Sequence, residues 1–307
     1  KSIEIFIIDG GSEDRTIKIV EEFQEHYKQI KLFENKRKIQ ASAMNIGIKH
    51  SLGKYILRLD AHAEYSGSYI DNSIKEIERA PEEVVNVGGS IYTVPYSDNS
   101  FSEAISYALS SKIGVGNSTF RVEKLSKEAY VDTVPFGCFK KDALNDIGLY
   151  DENLQRGEDL ELNNRFRNSG KKILLSPIIT SVYFSRSDLK SFVKQAYNNG
   201  FFITNTLGIK KDYHQLRHFI PFFFVSFLIA TIGLFLQDEF ITIKIGAFFV
   251  LFIYLILTMI HGIQSSFKAR SLKFIFISPI VLLMLHLSYG VGSWSGLLNN
   301  LSRRFFS

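Results

Sequence analysis

Along roughly the first two-thirds of the chain, short apolar runs alternate with stretches in which apolar residues recur at helical spacing. The run over 3–8, interrupted only by Glu4, has the character of a parallel strand covered on both faces. Ile17, Val20, Phe23 and Tyr27 then repeat as one face of a helix, with Ser12 as its expected N-cap and Glu13 and Asp14 in its first turn. The same reading predicts strands over 30–33, 55–59, 84–93 and 172–176; the strand over 84–93, fourth along the chain, is broken at Gly88-Gly89. Helices are predicted over 40–51, 69–79, 101–111, 141–147, 158–168 and 188–199. Gly53, Pro81 and Gly170 supply the stops for three of them. The last is amphipathic, with Leu189, Phe192, Val193 and Ala196 on one face. Strands alternating with helices of this size predict an α/β domain with a mainly parallel sheet. The segment over 95–131 is less regular and holds a Gly- and Ser-containing loop at 114–119, as substrate loops often do.

From Phe219 the pattern changes. Three apolar segments, 219–236, 245–263 and 274–294, are rich in Phe, Leu and Ile, and the first would span ~27 Å as a helix. Three in succession predict a membrane region over 219–307 with about three apolar helices, after a domain over 1–205 and a basic linker over 206–218. The linker contains Lys210, Lys211 and Arg217; the second connection contains Lys268, Arg270 and Lys273; the first reads QDEF. Positive charge on the inner side puts the α/β domain and the second connection in the cytoplasm of a multi-pass inner or plasma membrane protein. Arg303 and Arg304 fit badly, because three full crossings would leave them outside.

Composition adds two exclusions. The 307 residues carry a net charge of +5, but the basic residues are scattered and several flank the apolar runs. That argues for a membrane surface and against nucleic acid. One cysteine, Cys138, excludes an internal disulfide framework and fits a reducing compartment. The chain opens directly on a strand, where a Rossmann-like unit would have a strand and helix before it. This leads to the expectation that the N-terminal strand is missing.

The densest chemistry lies in RLDAHAEY, Arg58 to Tyr65. Asp60 and His62 follow a strand's carboxyl end, where open α/β sheets place their ligands. Two such side chains one residue apart reach a common cation, which would hold a diphosphate; the plainer reading is a strand-end turn with a solvated Asp. Asp9 ends the first strand and is expected at the same sheet edge. Asn45, on the helix before the Asp60 strand, is either a donor contact or part of a solvated helix face. Lys36 and Arg37 read first as an exposed basic loop, with phosphate contact as the alternative. Glu158 and Asp159 open a helix, where they stabilise its N-terminus and are available for proton transfer; Arg156 and Arg165 are expected to pair with them. Cys138 reads as a small buried hydrophobe, and His286 as a helix–helix hydrogen-bonding residue.

Taken in order, IIDGGSEDRT, SAMNIGIKHSLGKYILRLDAH, VPFGCFKKDALNDIGLYDENL and RGEDLELNNRFRNSG resemble glycosyltransferase family 2, of the GT-A fold. The nearest resemblance is to membrane-anchored exopolysaccharide glycosyltransferases of the succinoglycan-biosynthesis type. It covers roughly residues 3–200, and the tail HLSYGVGSWSGLL is similar too. The resemblance implies an inverting transfer of a sugar from a nucleoside-diphosphate donor, UDP-linked, to a lipid-linked saccharide. It assigns Asp9, Asn45 and Asp60 to the donor, Asp60 and His62 to a divalent metal, Asp159 to base catalysis and Glu158 to orienting the acceptor or tuning its neighbour. Imidazole favours Mn²⁺ over Mg²⁺. The implied partners are the nucleotide sugar, the lipid-linked acceptor and the membrane, with other polysaccharide-assembly proteins as further candidates. Gln195 sits where processive members carry Gln-Xaa-Xaa-Arg-Trp, but Asn198 and Asn199 replace the last two, which implies single-sugar addition. Tyr183 and Arg186, ahead of an interfacial helix, are either acceptor contacts or packing and surface charge. Two rival functions remain: a polyprenyl-phosphate glycosyltransferase, and an inactive membrane scaffold that binds a nucleotide sugar or polysaccharide machinery.

Overall fold

The computed structural model describes residues 2–122, 125–208, 214–235 and 240–306. Lys210 and Lys211 of the expected linker, and residues 236–239 with most of the first connection, lie outside the described residues. The chain begins β1 (Ile5–Asp9), α1 (Thr16–His26), β2 (Ile30–Glu34), α2 (Gln40–His50), β3 (Tyr55–Leu57), β4 (Ala63–Tyr65) and α3 (Tyr69–Arg79). It continues with β5 (Val84–Val94), α4 (Ser100–Leu109), α5 (Lys112–Val115), α6 (Thr119–Val122), β6 (Ala129–Tyr130), β7 (Cys138–Lys140) and α7 (Lys141–Ile147). Then come α8 (Glu158–Asn168), β8 (Lys172–Phe184), α9 (Leu189–Asn205), a 3₁₀ turn (Leu216–His218), α10 (Ile220–Phe235), α11 (Ile241–Ala269) and α12 (Phe274–Phe306).

Two compact units result. The first takes Lys1–Ala61, Tyr65–Ser90 and Lys124–Ser181; the second takes His62–Glu64, Ile91–Glu123 and Val182–Ser307. In the first unit β1 and β2 pair in parallel, Ile5 opposite Ile30 and Asp9 opposite Glu34. A six-stranded sheet runs β3-β7-β5-β8-β4, with β6 on β8. Parallel pairing does not extend through it: β7 is antiparallel to both β3 and β5, and β6 is antiparallel to β8. Parallel neighbours need a long crossover, usually a helix; β7 instead enters from the loop over 131–137 and inserts between two earlier strands. Ala41 and Ile48 of α2, Val85, Phe139, Leu144 and the α8 residues Leu162 and Phe166 form one buried cluster. That packing fixes α8, and with it the start of the helix at Glu158.

The expected break in the fourth strand is absent. β5 runs unbroken through Gly88 and Gly89, because the glycines serve close packing and not a turn: a Cβ on Gly89 would lie 1.7 Å from the Ile179 carbonyl oxygen. Ser12 is likewise not a helix cap; α1 starts later, at Thr16, with the Asp14 carboxylate accepting the Thr16 N–H at 2.9 Å.

In the second unit α4, α9 and α12 share a core built from Ala104, Ile105, Phe192, Ala196, Val281 and Leu285 among others. Two of the three expected apolar helices, α11 at 29 residues and α12 at 33, are long and apolar enough to cross a bilayer. α10, at 16 residues, is shorter, ~24 Å. α11 leaves Phe248, Phe249, Phe252 and Leu255 exposed, which suits lipid and not water. α9 lies along α12 at very close range. A Cβ on Gly200 would meet the Tyr289 carbonyl oxygen at 1.9 Å, and one on Gly292 the Tyr197 carbonyl oxygen at 2.0 Å. Small residues that let backbones touch are how helices associate in lipid. Thr204 Oγ1 donates to the Ser293 carbonyl at 2.6 Å, and the Arg304 guanidinium donates to the Leu207 carbonyl just beyond α9. Arg304 thus has a structural partner at the end of the seam.

The seam yields a signed expectation. Gly292→Ala gains about 1 kcal/mol of helix propensity but forces a Cβ into backbone, an overpacking cost of about 1–3 kcal/mol or more. The clash wins, and thermal unfolding in detergent should show a lower midpoint. Gly246→Ala on α11, where a Cβ meets nothing within 4 Å, should hold or raise it. Equal midpoints for the two variants would contradict the close seam.

Candidate active site

Arg58 organises the polar part of the first unit. It follows β3 directly and its side chain is only 9% exposed. A buried guanidinium must be paired. Nε and Nη2 grip the Asp60 carboxylate at 2.8 and 3.0 Å, and Nη1 reaches Asp159 Oδ2 at 2.5 Å and Glu158 Oε1 at 3.9 Å. The two acidic motifs, about a hundred residues apart in sequence, are therefore joined through one side chain. Asp60 is held a second way: its N–H donates to the Tyr65 hydroxyl at 2.6 Å, and that hydroxyl donates to the Asp60 carbonyl at 3.2 Å. Gln40 Nε2 lies 3.4 Å from Asp60 Oδ1.

Among the described residues the Arg58 guanidinium meets three carboxylates, and the crowding of negative charge has a visible effect. Burial first, and the Asp159 charge second, push the Glu158 carboxyl up to about 7. The Tyr150 hydroxyl is pushed far above its ordinary value, by burial and then by Asp159. The pair at the start of α8 differs in access: Glu158 is 8% exposed and Asp159 29%. Only Asp159 keeps substantial surface for a ligand. Gly157, with φ of 79°, supplies the left-handed turn into the helix.

The other expected site residues have different fates. Asp9 ends β1 and is nearly buried; its Oδ2 accepts the N–H groups of Gly11 and Ser12 at 2.7 and 2.9 Å, and its Oδ1 accepts the Ser12 hydroxyl at 2.5 Å. The Ser12 bonds hold its carboxyl below the ordinary range. Much of its accepting capacity is thus spent on its own turn. Asn45 is bonded within the fold. It is buried, its amide nitrogen donates to the Tyr150 carbonyl and to Glu152 Oε1 at 2.9 Å each, and its oxygen accepts the Tyr150 N–H at 2.9 Å. Arg37 grips the same Glu152 at 2.8 Å. Asn45 and Arg37 therefore clasp the segment leading to α8. Arg165 does not pair with Glu158 or Asp159: it binds Glu161 at 2.9 Å and donates to the carbonyls of Ile147, Gly148 and Leu149. Cys138 is fully buried in β7, which pushes its thiol up to about 12. His62 opens the short 62–64 piece of the second unit; it is exposed, and its ring meets Tyr183 edge-on at 6.0 Å. His286 joins Tyr254 of α11 and the Ile113 carbonyl, at 3.0 Å each. Among the described residues no group of three or more His, Cys, Asp or Glu side chains has metal-holding geometry.

An α/β domain with acidic groups at strand and helix ends, followed by apolar helices of bilayer-spanning length, describes a membrane-associated glycosyltransferase of the GT-A fold. Residues 1–148, just under half of the chain, match the model of the family described as glycosyl transferase family 2. It is 28% identical to the dolichyl N-acetyl-alpha-D-glucosaminyl phosphate 3-beta-D-2,3-diacetamido-2,3-dideoxy-beta-D-glucuronosyltransferase of Methanococcus voltae, over 97% of this chain and 88% of that one. It is 27% identical to the succinoglycan biosynthesis protein ExoA of Rhizobium meliloti (strain 1021), over 64% of this chain and 58% of that one. Among solved structures, the mannosyltransferase PcManGT of Pyrobaculum calidifontis, in complex with GDP-Man and Mn²⁺, shares the fold: TM-score 0.57 at 15% identity, over 91% of this chain and 77% of that one.

The raised Glu158 carboxyl sets a pH dependence. Its ordinary value is 4.5 and its folded value about 7, so the protonated form favours the fold. That stability is fully present below about pH 4.5 and is lost as pH rises through about 7. Glu158→Gln removes the titration. Unfolding midpoints across a pH series should fall more steeply between these limits for the wild type than for Glu158→Gln. Parallel curves would show that Glu158 does not titrate in this range.

Proposed function

We propose that the chain is an inverting glycosyltransferase that moves a sugar from a nucleoside-diphosphate donor, UDP-linked, to a hydroxyl of a lipid-linked saccharide in cell-surface polysaccharide synthesis. The observation that carries this reading is the Arg58 bridge, which ties Asp60 to the helix start bearing Glu158 and Asp159. Asp159, the more exposed of the pair, takes the acceptor proton as the hydroxyl oxygen attacks the anomeric carbon. The bond from that carbon to the diphosphate oxygen breaks, its electrons leave with the nucleoside diphosphate, and the sugar is inverted. Glu158, largely buried beside it, tunes the local charge. Asp9 and Asp60 serve the donor side.

A divalent cation fits the donor chemistry of the site. Three carboxylates gather around the Arg58 guanidinium among the described residues, an acidic setting that suits a cation, and Asp60 with the His62 imidazole would hold it. Imidazole favours Mn²⁺ over Mg²⁺. When bound, it would act as a Lewis acid toward the departing diphosphate. The name of the Methanococcus relative contains a dolichyl-linked sugar phosphate, which supports a lipid-linked acceptor bearing a sugar hydroxyl. Lys268 in the last turn of α11, with Arg270 and Lys273 ahead of α12, supports a cytoplasmic position for that connection.

Asp159→Asn keeps the side chain's shape and removes the base, so transfer to a hydroxyl acceptor should drop ~10²–10⁴-fold with UDP affinity retained. The assay is transfer from a panel of UDP-sugars to lipid-linked saccharides in detergent. Wild-type rates in the variant would reject the base. Transfer to polyprenyl phosphate, largely indifferent to this change, would point to an acceptor already ionised. His62→Ala should alter the Mn²⁺ dependence of turnover; an unchanged dependence would remove His62 from the metal.

A further inference from the structure

Arg121, on α6 in the second unit, is a cation that no assigned role uses. It is partly buried, and burial pushes its guanidinium below the ordinary value. Among the described residues it makes no ion pair. Its hydrogen bond among them is weak, from Nη1 to Thr93 Oγ1 at 3.4 Å. What it has is aromatic cover: the guanidinium carbon lies 4.9 Å from the Tyr183 ring centroid and 5.7 Å from that of Phe120.

Stacking occupies a guanidinium's face and leaves its edge, a planar fork of N–H donors that matches two oxygens of a phosphate. A desolvated arginine with a covered face and an unspent edge costs the fold stability unless an anion completes it. The surroundings locate that anion. Tyr183 carries Arg121 on its face while the exposed His62 meets the same ring edge-on at 6.0 Å. Tyr183 is itself fixed from α9: Gln195 Nε2 donates to its hydroxyl at 3.3 Å, and Arg186 Nε donates to Gln195 Oε1 at 3.3 Å. An aromatic platform braced by a helix thus holds one cation beside His62, with a second arginine behind it.

We propose that Arg121 is a phosphate-binding residue, stacked on Tyr183 so that its edge takes the phosphate oxygens of one of the two phosphate-bearing substrates. The proposal rests on the glycosyl-transfer reading above and adds to it a residue outside the acidic motifs.

The test uses the full chain in detergent, with UDP plus Mn²⁺ as the donor-side probe and geranyl diphosphate as the acceptor-side probe. Arg121→Met removes the fork and Arg121→Lys keeps only the charge. The Met variant should bind one probe at least fivefold more weakly, and Lys should recover part of that loss. The ligand-free unfolding midpoint should hold or rise, because a partly buried cation with no ion pair among the described residues has been removed. Loss of UDP binding assigns the donor; loss of geranyl diphosphate binding assigns the lipid acceptor. Less than a fivefold change for both probes would overturn the proposal. So would a lower ligand-free midpoint, the mark of a purely structural arginine. A wild-type protein that binds neither probe would overturn the transfer reading itself, together with this one.

Discussion

A guanidinium withdrawn from water is the constraint on which the first unit's polar chemistry depends. Arg58 cannot be buried alone, so the fold must bring carboxylates to it. It brings Asp60 from its own strand end and Asp159 from the start of α8. The planar fork grips Asp60 at both oxygens and still has Nη1 for α8, which a lysine's single ammonium could not reproduce. The rest of the unit serves that meeting. Leu162 and Phe166 anchor α8 in the core, Arg165 ties it to the 147–149 carbonyls, and Asn45 and Arg37 clasp the segment at 150–152. The raised Glu158 carboxyl is the residual cost of placing three acids around one base.

Much of this was legible where one physical rule acts locally. Periodicity and stops located the helices Tyr69–Arg79, Lys141–Ile147 and Glu158–Asn168 at their observed bounds, and apolar runs located β1 and β3, though β1 extends to Asp9 and β3 stops at Leu57, short of the predicted end at Leu59. Long-range pairing was less visible. The reversed direction of β7 is decided by which gap in the sheet is open late in the chain, and nothing within 138–140 encodes it. Gly88-Gly89 carried a true signal with two meanings, a turn or a close approach, and the local sequence does not choose between them. β8 and α9 ran further than predicted because tertiary partners sustain them past the point where periodicity fades.

The site was legible in its acids and not in what holds them. Asp60, Glu158 and Asp159 stood out as carboxylates at element ends. Arg58 stood in the same quoted segment and gave its own clue, a charge embedded in the strand-forming run YILRLD. Asn45 was ambiguous because an amide on a helix face shows no partner until Tyr150 and Glu152 are in place. Arg121 and Tyr183 were unreadable as a pair, since stacking joins residues 62 positions apart.

The core shared by α4, α9 and α12 bears on how the protein is made. Ala104 and Ile105 leave the ribosome well before Leu282 and Leu285, the residues they are to be buried with. At a synthesis rate of about 5–20 residues per second that gap lasts roughly ten to forty seconds. Throughout it α4 and α9 present an apolar, glycine-notched surface with no lid, beside strands of the nascent sheet. Newly made chains must therefore rest at a lipid surface or a chaperone until α12 joins them. α12 closes the unit, so the core that α4 and α9 begin is complete only when that helix is in place.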